Sequence, residues 1–159
     1  MGLLKNKIAF ILLSIFFVLS GCETKQLFEQ STIYPNHNWP SKQATKYQFN
    51  VTDTAATYKI FFVIRHHNAY HYKNIWLDLI IKSPTNAITK QVLNLNLADD
   101  AKGWLGTGMD DIYDQRIPMT ASPIRLNKGI NEISVQHTMR EDPLDNILST
   151  GIRVEKVKP

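Results

Sequence analysis

The sequence predicts an all-β fold, an antiparallel β-sandwich of jelly-roll-like type. Three observations carry that prediction. Several short runs alternate apolar and polar residues with a period of two. Turn-forming residues separate them. No segment sustains a helical period long enough for a core helix. The 159 residues suffice for one domain with one core, and 43% hydrophobic with 20% charged residues is a globular composition.

The first 21 residues read as an address. Lys5 and Lys7 form a short basic region, and residues 8–19 are apolar apart from Ser14. That run is short for a bilayer span and suits a signal peptide. It ends in Leu19-Ser20-Gly21-Cys22, which resembles a bacterial lipobox. The resemblance implies cleavage before Cys22 and acyl chains, palmitate among them, on that cysteine. The alternative is an ordinary signal peptide or short anchor with an incidental cysteine. Several chains on one residue give stable membrane attachment. Cys22 is the sole cysteine, so no intrachain disulfide and no cysteine-type zinc site is expected. The formal charge of +4 falls to about +2 without Lys5 and Lys7. No stripe of basic residues interleaves with aromatics, so nucleic acid is not an expected partner.

Residues 22–45 read as an anchor and tether. Leu27-Phe28, Ile33-Tyr34-Pro35 and Trp39-Pro40 sit among polar residues, which predicts an extended segment pinned to the domain by its aromatics. The domain proper is placed at residues 46–159. Tyr47-Gln48-Phe49-Asn50-Val51 alternates as a half-buried strand, and Thr52-Asp53-Thr54 is turn chemistry. Residues 58–65 are rich in aromatic and β-branched types and read as a strand buried on much of both faces. Residues 66–72 read as a polar aromatic loop, and residues 75–82 as the next strand. Ser83-Pro84-Thr85-Asn86 reads as a hairpin turn before a strand over 88–97. There Val92 is out of phase with Leu93, Leu95 and Leu97, which predicts a bulge or burial on two sides. A short run at 124–126 and a turn at Asn127-Lys128-Gly129 precede a strand centred on Ile133, Val135 and His137. Ile152-Arg153-Val154-Glu155-Lys156-Val157 is a clean final strand.

The least generic stretch is residues 103–116, which packs three glycines, Trp104, three carboxylates and Arg116 into a turn-rich segment. The glycines do not match a phosphate-binding loop, and tight turns at positive φ explain them. Asp99, Asp100, Asp110, Asp111 and Asp114 bracket them. Their spacing departs from an EF-hand, so structural hydrogen bonds and ion pairs are the favoured reading over a calcium site or a glycosidase pair. His66, His67 and His71 are read as a solvated or aromatic-packed loop rather than a metal site. Trp39, Trp76 and Trp104 are read as core residues, with a sugar platform as the alternative. No nucleophile elbow or triad can be assembled, so no enzyme, metal or cofactor is expected.

Residues Lys102-Gly103-Trp104-Leu105-Gly106, Gly108, Asp110-Asp111-Ile112-Tyr113-Asp114 and Arg116 resemble the GldH-type gliding-motility lipoproteins of Bacteroidetes. Met139-Arg140-Glu141-Asp142-Pro143-Leu144, Gly151-Ile152-Arg153-Val154-Glu155-Lys156, Phe28-Glu29 and Asn74-Ile75-Trp76-Leu77 extend the likeness over most of the chain. The resemblance implies an outer-membrane lipoprotein anchored through Cys22, a non-enzymatic component or accessory of the gliding-motility and type IX secretion machinery. Its implied partners are the membrane and other gliding, secretion or envelope proteins. No acidic run follows in Glu23-Thr24-Lys25, which tilts the expectation towards the periplasm-facing side. Trp104, Asp110, Asp111, Asp114, Arg116, Arg140, Glu141 and Asp142 are expected to form an interaction rim at one end of the sandwich. The alternative function is a carbohydrate- or calcium-binding module on the outer membrane.

Overall fold

The computed structural model describes residues 25–157, so the expected signal peptide and the expected lipidation at Cys22 lie outside the described residues. In chain order the strands are β1 (Lys25–Ile33), β2 (Asn38–Trp39), β3 (Thr45–Val51), β4 (Thr57–His67), β5 (Asn74–Lys82), β6 (Ile88–Asn96), β7 (Ala98–Asp99), β8 (Gly103–Trp104), β9 (Thr107–Met109), β10 (Ile112–Pro118), β11 (Gly129–His137), β12 (Leu144–Asp145) and β13 (Ile147–Val157). No helix occurs among the described residues. Two antiparallel sheets face each other, one ordered β1-β13-β4-β10-β9 and the other β3-β11-β5-β6. Two short ribbons, β12-β2 and β7-β8, close one end.

The alternation in the sequence becomes the two faces of each sheet. Tyr47, Phe49 and Val51 from β3, Ile75, Leu77 and Leu79 from β5, and Ile133 and Val135 from β11 are buried. Opposite them lie Tyr58, Ile60, Phe62 and Ile64 of β4 with Ile152 and Val154 of β13. Each such side chain contributes about 1.5–3 kcal/mol by leaving water, which outweighs any single surface pair. On the outer side of β4, Phe61 and Val63 are half-buried, so this strand is covered in part on its second face. Asp53 folds back to accept hydrogen bonds from the amides of Ala55 and Ala56 at 3.0 and 3.2 Å, which sets the turn into β4. Asn86 sits at φ 62° and its amide donates to the Ser83 carbonyl at 2.9 Å, which makes the expected β5–β6 hairpin.

Three expectations change. Residues 25–33, read as a tether, form a nine-residue strand paired with β13 along its length. Beyond it, Trp39 is wholly buried, stacked near Tyr34 and Phe62 and edge-on to His137. The predicted bulge near Val92 is absent: β6 pairs β5 without a register shift from Asn74↔Asn96 to Lys82↔Ile88. Val92 points outward and is exposed. His66 and His67 belong to β4 rather than to a loop, and His66 is fully buried.

Candidate functional site

At one end of the sandwich β1, β4, β6 and β11 stop, and β3, β5, β10 and β13 begin. The four connections there, residues 34–44, 68–73, 97–111 and 138–146, make the rim. An aromatic plug lies beneath it. His66 sits 4.7 Å from Trp104, 5.6 Å from Tyr70 and 5.8 Å from Tyr113 between ring centroids. The His66 Nδ1–H donates to the His67 carbonyl at 3.0 Å, because a carbonyl only accepts. Its Nε2 is then the acceptor for the Gln115 amide at 3.3 Å, and the same amide donates to the Leu97 carbonyl at 2.9 Å. Burial holds the His66 pKa below its ordinary value and pushes the Tyr70 phenol above its own. Trp104 is half-buried within this plug.

The glycines and one aspartate shape the loop above the plug. Gly103 and Gly106 take φ of 74° and 88°, and Asp110 takes 53° in the turn between β9 and β10. A Cβ on Gly106 would lie 2.3 Å from the Asp114 carbonyl oxygen, so only glycine lets the loop cross against β10 there. Asp111 accepts from the Asn68 side-chain amide at 2.8 Å, while the Asn68 backbone amide donates to the Asp111 carbonyl at 2.7 Å. Asp99 accepts from the amides of Ala101 and Lys102, and Asp100 pairs with Lys73. Asp110 is exposed. Among the described residues no three His, Cys, Asp or Glu side chains converge as a metal-binding group. The aspartates do not converge: Asp99 holds its own turn, Asp100 a lysine and Asp111 the Asn68 amide.

On the other side of the rim, Asp142 accepts from the Ser41 amide at 2.7 Å and hydroxyl at 2.6 Å. Glu141 pairs with His71 Nδ1 at 3.0 Å and accepts from the Asp145 amide at 3.2 Å. The hydrogen bond to Glu141 raises the His71 pKa, and both groups lie near the surface. These bonds tie the 34–44, 68–73 and 138–146 connections to one another. Trp104, Asp110, Asp111, Arg140, Glu141 and Asp142 therefore do lie at one end.

Asp114 and Arg116 do not join them. They project from the outer face of the five-stranded sheet, where Asp114 holds Arg65 bidentately at 2.8 Å and Arg116 reaches Glu29 at 3.3 Å. Glu29 also pairs with Arg153. Together with Ser31, Val63 and Thr107 they border a groove of about 670 Å³. The pairing partners explain the departure: Gln115 faces inward against Ile64, which sends residues 114 and 116 outward.

Trp76, read from the sequence as a core residue with a sugar platform as the alternative, is not in the core. It is 44% exposed and shares a depression of about 520 Å³ with Tyr72, Asn74, Thr138, Met139 and Arg140. The Trp76 amide lies 3.2 Å from the Met139 sulfur. The signal was present, since Ile75, Leu77 and Leu79 fix the inward phase of β5 and leave Trp76 on the outside.

A family model described as GldH lipoprotein matches residues 26–154. A gliding motility lipoprotein GldH homolog of Christiangramia forsetii is 24% identical over 154 residues, covering 92% of this chain and 94% of that protein. The gliding motility lipoprotein GldH of Flavobacterium johnsoniae is 22% identical over 153 residues, covering 92% and 94%. Among solved structures, a non-crystalline cellulose specific carbohydrate-binding module is similar at a TM-score of 0.41 and 13% identity, over 82% of this chain and 72% of that one.

Proposed function

The chain belongs to the GldH lipoprotein family, and we propose from that premise that it is a lipid-anchored, non-enzymatic component or accessory of the gliding-motility and type IX secretion machinery, holding other envelope proteins at its rim. The observation that carries the reading is the cluster of Trp76, Tyr72, Met139 and Arg140 at the rim's edge. A half-exposed tryptophan beside a tyrosine and an arginine is the composition of a binding hot spot. The ion-paired neighbours Glu141 and His71 supply its polar border.

The anchor geometry supports the same reading. β1 runs towards the rim, so Lys25 stands at the opposite end of the sandwich. Cys22 precedes Lys25 by three residues, a reach of about 11 Å at most when extended. The eleven residues of β4 span roughly 36 Å. A lipid on Cys22 thus holds one end near the bilayer and presents the rim tens of ångströms away. We place the anchor in the outer membrane with the domain in the periplasm.

The test is affinity purification of the lipidated protein from its own envelope, with Trp76→Ala and Arg140→Ala variants and a Cys22→Ala control. Both rim side chains are exposed, so the variants keep the parent melting temperature within a few degrees while the co-purifying envelope proteins and gliding are lost. Retention of partners and motility in the double variant would sink the proposal. A sugar-binding role for Trp76 is the second reading, favoured by its exposed ring; a glycan array that lights up with the parent and goes dark with Trp76→Ala would put it first.

A further inference from the structure

β6 forms an edge of the four-stranded sheet. β5 pairs along one side, and no strand among the described residues pairs along the other. Such a strand presents a row of free amides and carbonyls to any other chain, and proteins normally blunt it. Both edges of the five-stranded sheet are blunted. β1 bulges between Gln26 and Phe28 and carries Glu29 within an ion-pair network. β9 has three residues. β3, the other edge of this sheet, is shorter at seven residues, and its inner face is buried along its whole length. β6 is nine residues long, has no bulge and no proline, and carries one charge, Lys90.

The side chains of its first five residues are also uncovered. Residues 88–92 are exposed on both faces, with Ile88 59% and Val92 66% accessible on the outer one. Thr89 and Gln91 point between the sheets, where a cleft of about 330 Å³ opens beside them. Ile81, Ile124, Thr120 and Asn131 line the same cleft. Thr120 Oγ1 and Asn131 Oδ1 are buried there without a protein hydrogen-bond partner, although buried polar atoms are seldom left so.

We propose that β6 accepts an extended segment of a partner protein as a fifth, antiparallel strand of this sheet. This surface runs along the side of the sandwich and is separate from the rim. Charge selects the occupant. Lys90 has no ion-pair partner among the described residues, so the matching segment carries an acidic residue opposite it. Apolar residues flank that acid opposite Val92 and Ile88, and the alternate positions carry small hydroxyl or amide side chains that enter the cleft beside Thr89 and Gln91. A second copy of this chain would bring another Lys90 and no carboxylate on the strand, leaving both cations unmatched. Backbone pairing supplies affinity in such additions, and the alternate side chains supply specificity.

The experiment uses the lipidated protein in detergent and a fluorescent peptide of sequence Thr-Val-Thr-Glu-Ser-Ile-Thr, read by anisotropy and by hydrogen exchange of the β6 amides. Saturable binding with new protection confined to β6 is expected. Exchanging the peptide's Glu for Lys weakens binding about tenfold. N-methylation of the peptide's alternate amides abolishes it, as does Val92→Lys, a substitution at an exposed side chain whose unchanged circular dichroism and melting temperature report an intact fold. The proposal is overturned if no peptide binds at millimolar concentration, if the methylated peptide binds as well as the parent, or if Val92→Lys binds normally. Protection of β6 that rises with protein concentration in the absence of peptide overturns it in favour of self-pairing.

Discussion

Replacing Trp39 by alanine tests whether residues 34–44 belong to the core or merely dock on it. The indole is 0% exposed. Its ring lies 5.9 Å from Tyr34, 6.3 Å from Phe62 and 5.0 Å from His137. Its Nε1–H donates to the Gln43 carbonyl at 3.2 Å, and its own carbonyl accepts from His137 Nε2 at 2.9 Å. A buried tryptophan removes about 150–250 Å² from water, worth about 4–6 kcal/mol at ~25 cal/mol per Å². The cavity left by truncation adds to that loss and local collapse subtracts from it, so measured changes of this kind run about 3–5 kcal/mol. We expect ~4 kcal/mol, close to the whole stability of many domains. The assay is urea unfolding followed by circular dichroism, comparing the midpoint at equal slope. Trp39→Phe serves as the calibration: it keeps most of the apolar area and loses the bond to Gln43, for about 1–2 kcal/mol. A loss below about 1 kcal/mol for the alanine variant would refute the reasoning, because that is the scale of a surface contact.

Gly151→Ala should loosen β1, because the new methyl would meet the Ser31 Oγ at 2.3 Å and the Gln30 carbonyl oxygen at 2.5 Å; we expect a loss of about 2–3 kcal/mol. Adding Ser31→Gly recovers only part of it, since the backbone contact with Gln30 persists; full recovery would disprove the wedge. Asp114→Asn breaks the bidentate pair with Arg65, but both side chains are about half exposed, so the cost stays under about 1 kcal/mol and shrinks further in salt. Burial lowers the pKa of both His66 and His137, so the unfolded chain binds protons first as pH falls. Their contribution is whole above the unfolded value of about 6.5 and is lost as pH drops through it towards the folded values. His71, raised by Glu141, acts with the opposite sign: its contribution is present below that value and fades as pH rises through its folded pKa. Melting curves from about pH 7.5 to 5 should fall for the parent and flatten for a His66→Gln, His137→Gln pair; parallel curves would remove the histidines from the account.

The sheet interior was legible because one face of β3, β5, β11 and β13 repeats an apolar residue every second position. That rule needs a continuous register. β1 breaks it with a bulge between Gln26 and Phe28, so Leu27 and Phe28 fall next to each other and the run reads as irregular. Val92 misled for the converse reason. An apolar residue out of phase implies a bulge only where both faces are covered, and over residues 88–92 of β6 neither face is.

The rim shows where such reading stops. Ser41 meets Asp142 across 101 residues and His71 meets Glu141 across 70, and no local pattern encodes either distance. What composition did show was that polar and charged residues concentrate at 99–116 and 140–145, which the antiparallel connections bring to one end. Charge alone, however, selected Asp114 and Arg116 with the rest, and only strand phase separates them from the rim. The same phase puts Trp76 outside, beside Arg140, which sits 64 positions further along the chain. Phase, once β5 and β10 are paired, therefore decides site membership here more sharply than residue type does. The most informative rim substitution is accordingly Trp76→Ala rather than Trp104→Ala: Trp76 is free to meet a partner, while Trp104 is engaged by His66, Tyr70 and Tyr113 and its loss would confound binding with folding.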